Sequence, residues 1–112
     1  MITSSQNTKV KLARSLMGRA KERREAGMFV VEGVRLVEEA VKGDWRLETV
    51  LYDESLSERG KSQVESLKSK GVEVEEISSD LMKSLSETET PQGILAILQF
   101  STPLISTPLD FV

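Results

Sequence analysis

Apolar residues at Val10, Ala13, Leu16, Met17 and Ala20 recur at helical spacing. That pattern predicts a helix from Lys9 to Glu25. Ser4, Ser5 and Asn7 are candidate N-caps, and Gly27 is a candidate C-cap. Gly18 weakens the middle of the helix. The period then changes. "MFVVE" (Met28–Glu32) is a short β-branched run and predicts a strand. Gly33 ends it, and Val34, Leu36, Val37, Ala40 and Val41 make the next helical face, closed by Gly43. "LETVLYD" (Leu47–Asp53) predicts a second strand, and "SLSE" (Ser55–Glu58) has the form of a capping box for a helix holding Val64 and Leu67. "VEVEEI" (Val72–Ile77) alternates as a half-buried strand. Ser79 is placed to cap a short helix with Leu81, Met82 and Leu85. "ILAILQF" (Ile94–Phe100) is continuously apolar, the mark of a central strand covered on both faces.

Strands alternating with helices imply an α/β sheet with helices on both faces. The tail breaks the pattern. "STPLISTPLDFV" carries two Thr-Pro pairs, which resist helix and central strand alike. It reads as an extended linker whose Leu104, Ile105, Leu109, Phe111 and Val112 expect something to pack against. The expected organisation is a basic N-terminal helix over 1–27, a binding domain over 28–100, and a linker over 101–112.

Composition narrows the chemistry. The chain has 112 residues, the length of one domain. It contains no cysteine, which excludes disulfides and thiolate nucleophiles, and no histidine, which removes the commonest general base and metal ligand. No apolar run approaches membrane-spanning length and the start lacks the apolar stretch of a signal peptide, so neither a membrane nor a metal is expected as a partner. A cytoplasmic location follows as the default.

Charge is unevenly placed. The net charge is −3, yet residues 1–35 hold eight Lys and Arg against three Asp and Glu. Lys9, Lys11, Arg14, Arg19, Lys21, Arg23 and Arg24 lie within the first predicted helix. On a continuous helical wheel Lys11, Arg14 and Lys21 share one exposed stripe, while Arg19, Arg23 and Arg24 flank the apolar arc. A solvated helix, with Arg23 and Arg24 complementing its C-terminus, is one account of this charge. A polyanion surface is the other, since arginine can grip phosphate bidentately.

Catalytic patterns are absent. There is no Gly-rich phosphate loop, no metal cluster, and no nucleophile–base pair. Two chain reversals remain. "VEGVR" (Val31–Arg35) runs from strand end to helix start, where backbone N–H groups attract anions; a plain glycine turn with Arg35 in solvent is the simpler account. "TETPQG" (Thr88–Gly93) enters the last strand, and its Thr88, Thr90 and Gln92 can hydrogen-bond bases or sugars; a polar turn set by Pro91 is the simpler account. Trp45, the only tryptophan, reads as a core lid that could also stack a base.

Together, "SSQNTKVK" with its basic helix, "GMFVVEGVRLVEEA" and "TETPQGILAIL" resemble the N-terminal substrate-binding domain of SpoU-type (TrmH-type) RNA 2′-O-ribose methyltransferases. The resemblance covers about residues 3–100. It implies a three-layer α/β/α sandwich with a mainly parallel or mixed four-stranded sheet, similar to kink-turn-binding ribosomal proteins. Those proteins grip RNA with the turn after their first strand and the loop before their last. Here these positions are Glu32, Gly33 and Arg35, and Thr88, Thr90 and Gln92.

The resemblance also implies a longer parent enzyme. Its catalytic half binds S-adenosylmethionine, usually sets a homodimer, and has no counterpart motifs here; the 112 residues alone are expected to be monomeric, cofactor-free and without catalytic residues. The function implied is binding and positioning of rRNA or tRNA. Two other readings stay open at this stage, a stand-alone structural RNA binder and a protein–protein interaction domain whose basic helix docks on an acidic surface.

Overall fold

The computed structural model describes residues 1–86 and 92–100. Helix α1 (Thr8–Gly18) is capped by Asn7, whose Oδ1 accepts from the backbone N–H groups of Lys9 and Val10. Helix α2 (Ala20–Ala26) follows at once and ends at Gly27 in a left-handed conformation. Strand β1 (Met28–Glu32), helix α3 (Val34–Lys42), strand β2 (Arg46–Tyr52), helix α4 (Glu58–Ser69), strand β3 (Val74–Glu76), helix α5 (Ser79–Leu85) and strand β4 (Ile94–Gln99) complete the order.

The sheet runs β1-β4-β2-β3. Only β2 and β3 are parallel; β4 lies antiparallel to both β1 and β2. The sheet is therefore mixed and not mainly parallel. Strand–helix alternation suggested parallel neighbours, but β4 enters between β1 and β2 from the opposite direction. Its central place is why its sequence is apolar without alternation: Ile94 to Leu98 are all buried.

Two clusters flank this sheet. Leu51, Leu95 and Ile97 face Val10, Ala13 and Leu16 of α1 and Leu81, Met82 and Leu85 of α5. Val50, Ile94, Ala96 and Leu98 face Val37 and Ala40 of α3 and Val64 and Leu67 of α4. Alternate residues of each strand serve opposite faces, as the pleat requires. In β2 the register shifts between Leu47 and Thr49. That bulge turns Leu47 back to the α3–α4 side.

The basic N-terminal stretch is thus part of the core, tied down further by Ile2, which pairs with Ile77 beside β3. It is also not one helix. Arg19 is extended, with φ −137° and ψ 142°, and separates α1 from α2. The Arg23 guanidinium donates to the Leu16 carbonyl at 2.8 Å, closing one of the open carbonyls at the end of α1. Ser15 donates to Glu22 at 3.1 Å across the same corner. The wheel that placed Lys21 in line with Lys11 and Arg14 is broken there.

Two caps fall on neighbours of the residues expected. Ser57, not Ser55, caps α4 by accepting from Gly60 N–H, and Ser78, not Ser79, caps α5 by accepting from Leu81 N–H. At the far end of β1, Phe29 meets Trp45 edge-on (centroids 5.4 Å apart) and stacks on Phe100 (5.3 Å). Trp45 lies against the core margin and is not its sealed lid.

Candidate functional site

Strand β1 ends at Glu32, opposite Leu95 near the start of β4. Antiparallel pairing therefore brings the first reversal beside Gln92 and Gly93, the described end of the second. Gly33, at φ 104°, turns the chain into α3 and donates its N–H to the Ile94 carbonyl at 3.0 Å. The Gln92 side chain then closes the gap. Its Oε1 accepts from the Val34 N–H, the first of α3, at 3.1 Å. It lies across Gly33 so closely that a Cβ there would stand 3.1 Å from Oε1. Glycine is needed both for the backbone angle and for this approach.

A third reversal joins them. Asp53, buried at the end of β2, donates its N–H to the Gly93 carbonyl at 3.0 Å. Its Oδ1 accepts from the backbone N–H and the hydroxyl of Ser55, at 2.9 and 2.6 Å. This Asx turn holds Ser55 and so leaves Ser57 to cap α4. Between α3 and α4 opens a groove of about 620 Å³, lined by Val34, Arg35, Glu38, Ser55, Arg59 and Gln92 among others. Arg59 grips Glu38 with two bonds of 2.6 Å. Sequence reasoning missed Asp53, Ser55, Glu38 and Arg59. An Asp two residues before a Ser at a strand end was a signal for the first pair; none existed for the second, whose members are 21 residues apart.

The hydrogen bonds from Arg59 hold the Glu38 carboxyl below its usual 4.5. A depressed carboxylate contributes stability above the unfolded pKa and loses it as pH falls through the folded value. Arg59→Met should therefore lower the urea midpoint more near pH 7 than in acid below the ordinary carboxylate range. An equal deficit at both would remove the ion pair as the cause.

The other sequence-predicted residues divide. Arg14 donates to Ser84 of α5 at 3.1 Å, and Ser86, just past α5, donates to the Glu32 carboxylate. Arg23 and Glu32 line one apolar groove with Leu16, Met17 and Leu36. Arg14 and Glu32 are thus each tied to the α5 segment, Arg23 and Glu32 share one groove, and Gly33, Arg35 and Gln92 meet at the β1–α3 turn. Thr88 and Thr90 lie outside the described residues. Lys9 is elsewhere, paired with Glu73 at 3.0 Å and Glu48 at 3.9 Å. Lys21 pairs with Glu25 at 3.9 Å, and Lys11, Arg19 and Arg24 are exposed without being drawn to the groove.

The groove offers hydrogen-bond donors and mixed charge. It does not fit S-adenosylmethionine: its walls are Arg35, Glu38, Glu39, Lys42 and Arg59, with no aromatic face or closed apolar slot for adenine. Among the described residues no group of three or more acidic or sulfur ligands could hold a metal, and no helix is long and apolar enough to cross a membrane.

Residues 7–96 match the model of the MRM3-like substrate binding domain. The chain belongs to that family. As an MRM3-like domain it is 31% identical over 106 residues to the 23S rRNA (guanosine(2553)-2′-O)-methyltransferase RlmP of Bacillus subtilis, covering 95% of this chain and 40% of that protein. It is 32% identical over 97 residues to the 23S rRNA (uridine(2479)-2′-O)-methyltransferase of Streptomyces viridochromogenes, covering 86% of this chain and 33% of that protein. Its fold superposes on the crystal structure of an AdoMet-bound rRNA methyltransferase from Sinorhizobium meliloti with a TM-score of 0.71 at 27% identity, over 91% of this chain and 37% of that one. The MRM3-like domain therefore spans well under half the length of these relatives, and the resemblance read from the sequence motifs is to the right family.

Proposed function

We propose that this chain binds and positions RNA for a 2′-O-ribose methyltransferase acting in the cytoplasm. The methyl donor S-adenosylmethionine and the catalytic groups would then belong to a further part of the parent protein. The observation that carries this reading is the joining of the β1–α3 turn to the β4 entry through Gln92 and Val34. It turns two separate motifs into one continuous surface, in a family whose relatives are named as rRNA methyltransferases. A ribosomal RNA is favoured over tRNA for the same reason. The domain's part in catalysis is orientation: holding the target ribose where a methyl donor can reach it.

The phosphate contacts assigned by this reading are narrower than the basic stretch suggested. Arg35 lines the groove at the joined loops, while Arg14 and Arg23 are assigned to the neighbouring surface beside α5 and Glu32. Lys9 is already neutralised by two carboxylates, and Arg23 also braces the α1–α2 corner. Titration of in vitro-transcribed 23S rRNA should therefore show an Arg14→Glu/Arg35→Glu variant binding at least about tenfold more weakly than wild type. Its salt slope should fall by roughly 0.7–0.9 for each phosphate the variant no longer neutralises. A Lys9→Gln variant should keep the slope. Equal binding by wild type and the double variant would remove the cationic surface from this reading.

A further inference from the structure

We propose that Gln92 is a specificity-determining residue: its amide is held so that its two N–H donors face outward to read an acceptor oxygen on the bound RNA. The inference rests on the RNA-binding reading above and goes a step beyond it. A free glutamine amide can present either its oxygen or its nitrogen, and so recognises nothing in particular. Here the choice is made by the backbone. The Val34 N–H is a donor only, so the atom facing it at 3.1 Å must be Oε1. Nε2 then points away from α3, and it has no hydrogen-bond partner among the described residues.

Its surroundings agree with that polarity. Ser55 and Ser57 hydroxyls and the Arg35 and Arg59 guanidinia share the groove with Gln92. Each can donate. Of the groove's carboxylates Glu38 is engaged by Arg59, and Glu39 is outnumbered by Arg35, Lys42 and Arg59; Asp53, behind Ser55, is engaged by that serine. The open hydrogen-bonding capacity therefore favours an acceptor. A phosphate oxygen and a base carbonyl or ribose oxygen share that chemistry. The anchoring also removes rotamer freedom before RNA arrives, so less is lost on binding.

The two halves of the proposal separate in two variants. Gln92→Glu keeps an oxygen for the Val34 N–H, at a helix end where negative charge is favourable. It should melt at or above the wild-type temperature while binding 23S rRNA transcript at least roughly tenfold more weakly, the worth of a missing hydrogen bond plus a donor turned acceptor. Gln92→Ala loses both functions and should melt about 5 °C lower as well. A Ser57→Asp control places the same charge in the same groove and preserves a cap for α4. Its loss of RNA affinity sets an upper bound on the contribution of charge, since the Ser57 hydroxyl goes with it.

Gln92→Glu binding as well as wild type, or no worse than Ser57→Asp, overturns the proposal, as does Gln92→Glu melting as low as Gln92→Ala. Heparin, an anion without bases, identifies the oxygen. A loss toward heparin larger than that of Ser57→Asp supports a phosphate acceptor, and an excess loss seen only with RNA supports a base or ribose acceptor. Failure of the wild-type chain to bind RNA would sink the earlier reading and this one together; wild-type binding that Gln92→Glu leaves intact sinks this one alone.

Discussion

Gly93→Ala is expected to lower stability by about 3 kcal/mol and to abolish RNA binding in the same step. Gly93 sits at φ 79°, where an L side chain costs roughly 1–2 kcal/mol. A Cβ there would also stand 2.7 Å from Asp53 Oδ1, 2.8 Å from Ser55 Oγ and 3.0 Å from Leu56 N. Those atoms belong to a hydrogen-bonded turn and cannot retreat without breaking it. Overpacking of that kind adds about 1–3 kcal/mol. Whatever moves to relieve the clash shifts Gln92, its chain neighbour, away from Val34. Urea unfolding followed by circular dichroism measures the cost, and a loss below about 1 kcal/mol would show that the turn yields more easily than its bonding implies.

A chain beginning at Met28 is expected not to fold. The basic stretch looks separable because its charge is so visible, but its apolar side is structural. Removing it deletes Val10, Ala13 and Leu16, all buried, and uncovers Leu51, Leu95 and Ile97 on the sheet. At roughly 1.5–3 kcal/mol for each large apolar side chain, the loss is about 5 kcal/mol or more, comparable with the whole stability of a small domain. The bridge between Ile2 and Ile77 goes with it. A cooperative urea transition in the truncated chain would contradict this. Charge-reversal variants of the intact chain are accordingly the sound way to test RNA binding.

Hydropathy marked the four strands within one or two residues because each carries its burial in its own composition. Strand direction carries no such mark, which is why the antiparallel entry of β4 was not legible. The break at Arg19 was hidden for a related reason. The apolar residues from Val10 to Ala20 stay in helical phase, and the turn is enforced by contacts from Arg23 and Glu22 that exist only after folding. Serine caps could be narrowed but not chosen: Ser55 is as good a candidate as Ser57 until Asp53 claims it. At the site, both glycine-marked reversals were readable as motifs. Their union through Gln92 depends on β1 and β4 being neighbours, a fact of topology, and the Arg59–Glu38 pair depends on how α3 lies against α4.

The ring cluster at the other end of the sheet has a practical consequence for spectroscopy. Trp45 is the sole tryptophan, 39% exposed, and its indole abuts Phe29. The length of β4, about 20 Å at 3.3 Å per residue, separates that end from Gln92. Its emission therefore reports the Phe29 contact and the Leu36–Ala40 side of α3, and only at second hand what occupies the Gln92 end of the groove. An intrinsic-fluorescence titration that stays flat is no sign of absent RNA, whereas one that moves shows that binding reaches the aromatic end of the molecule.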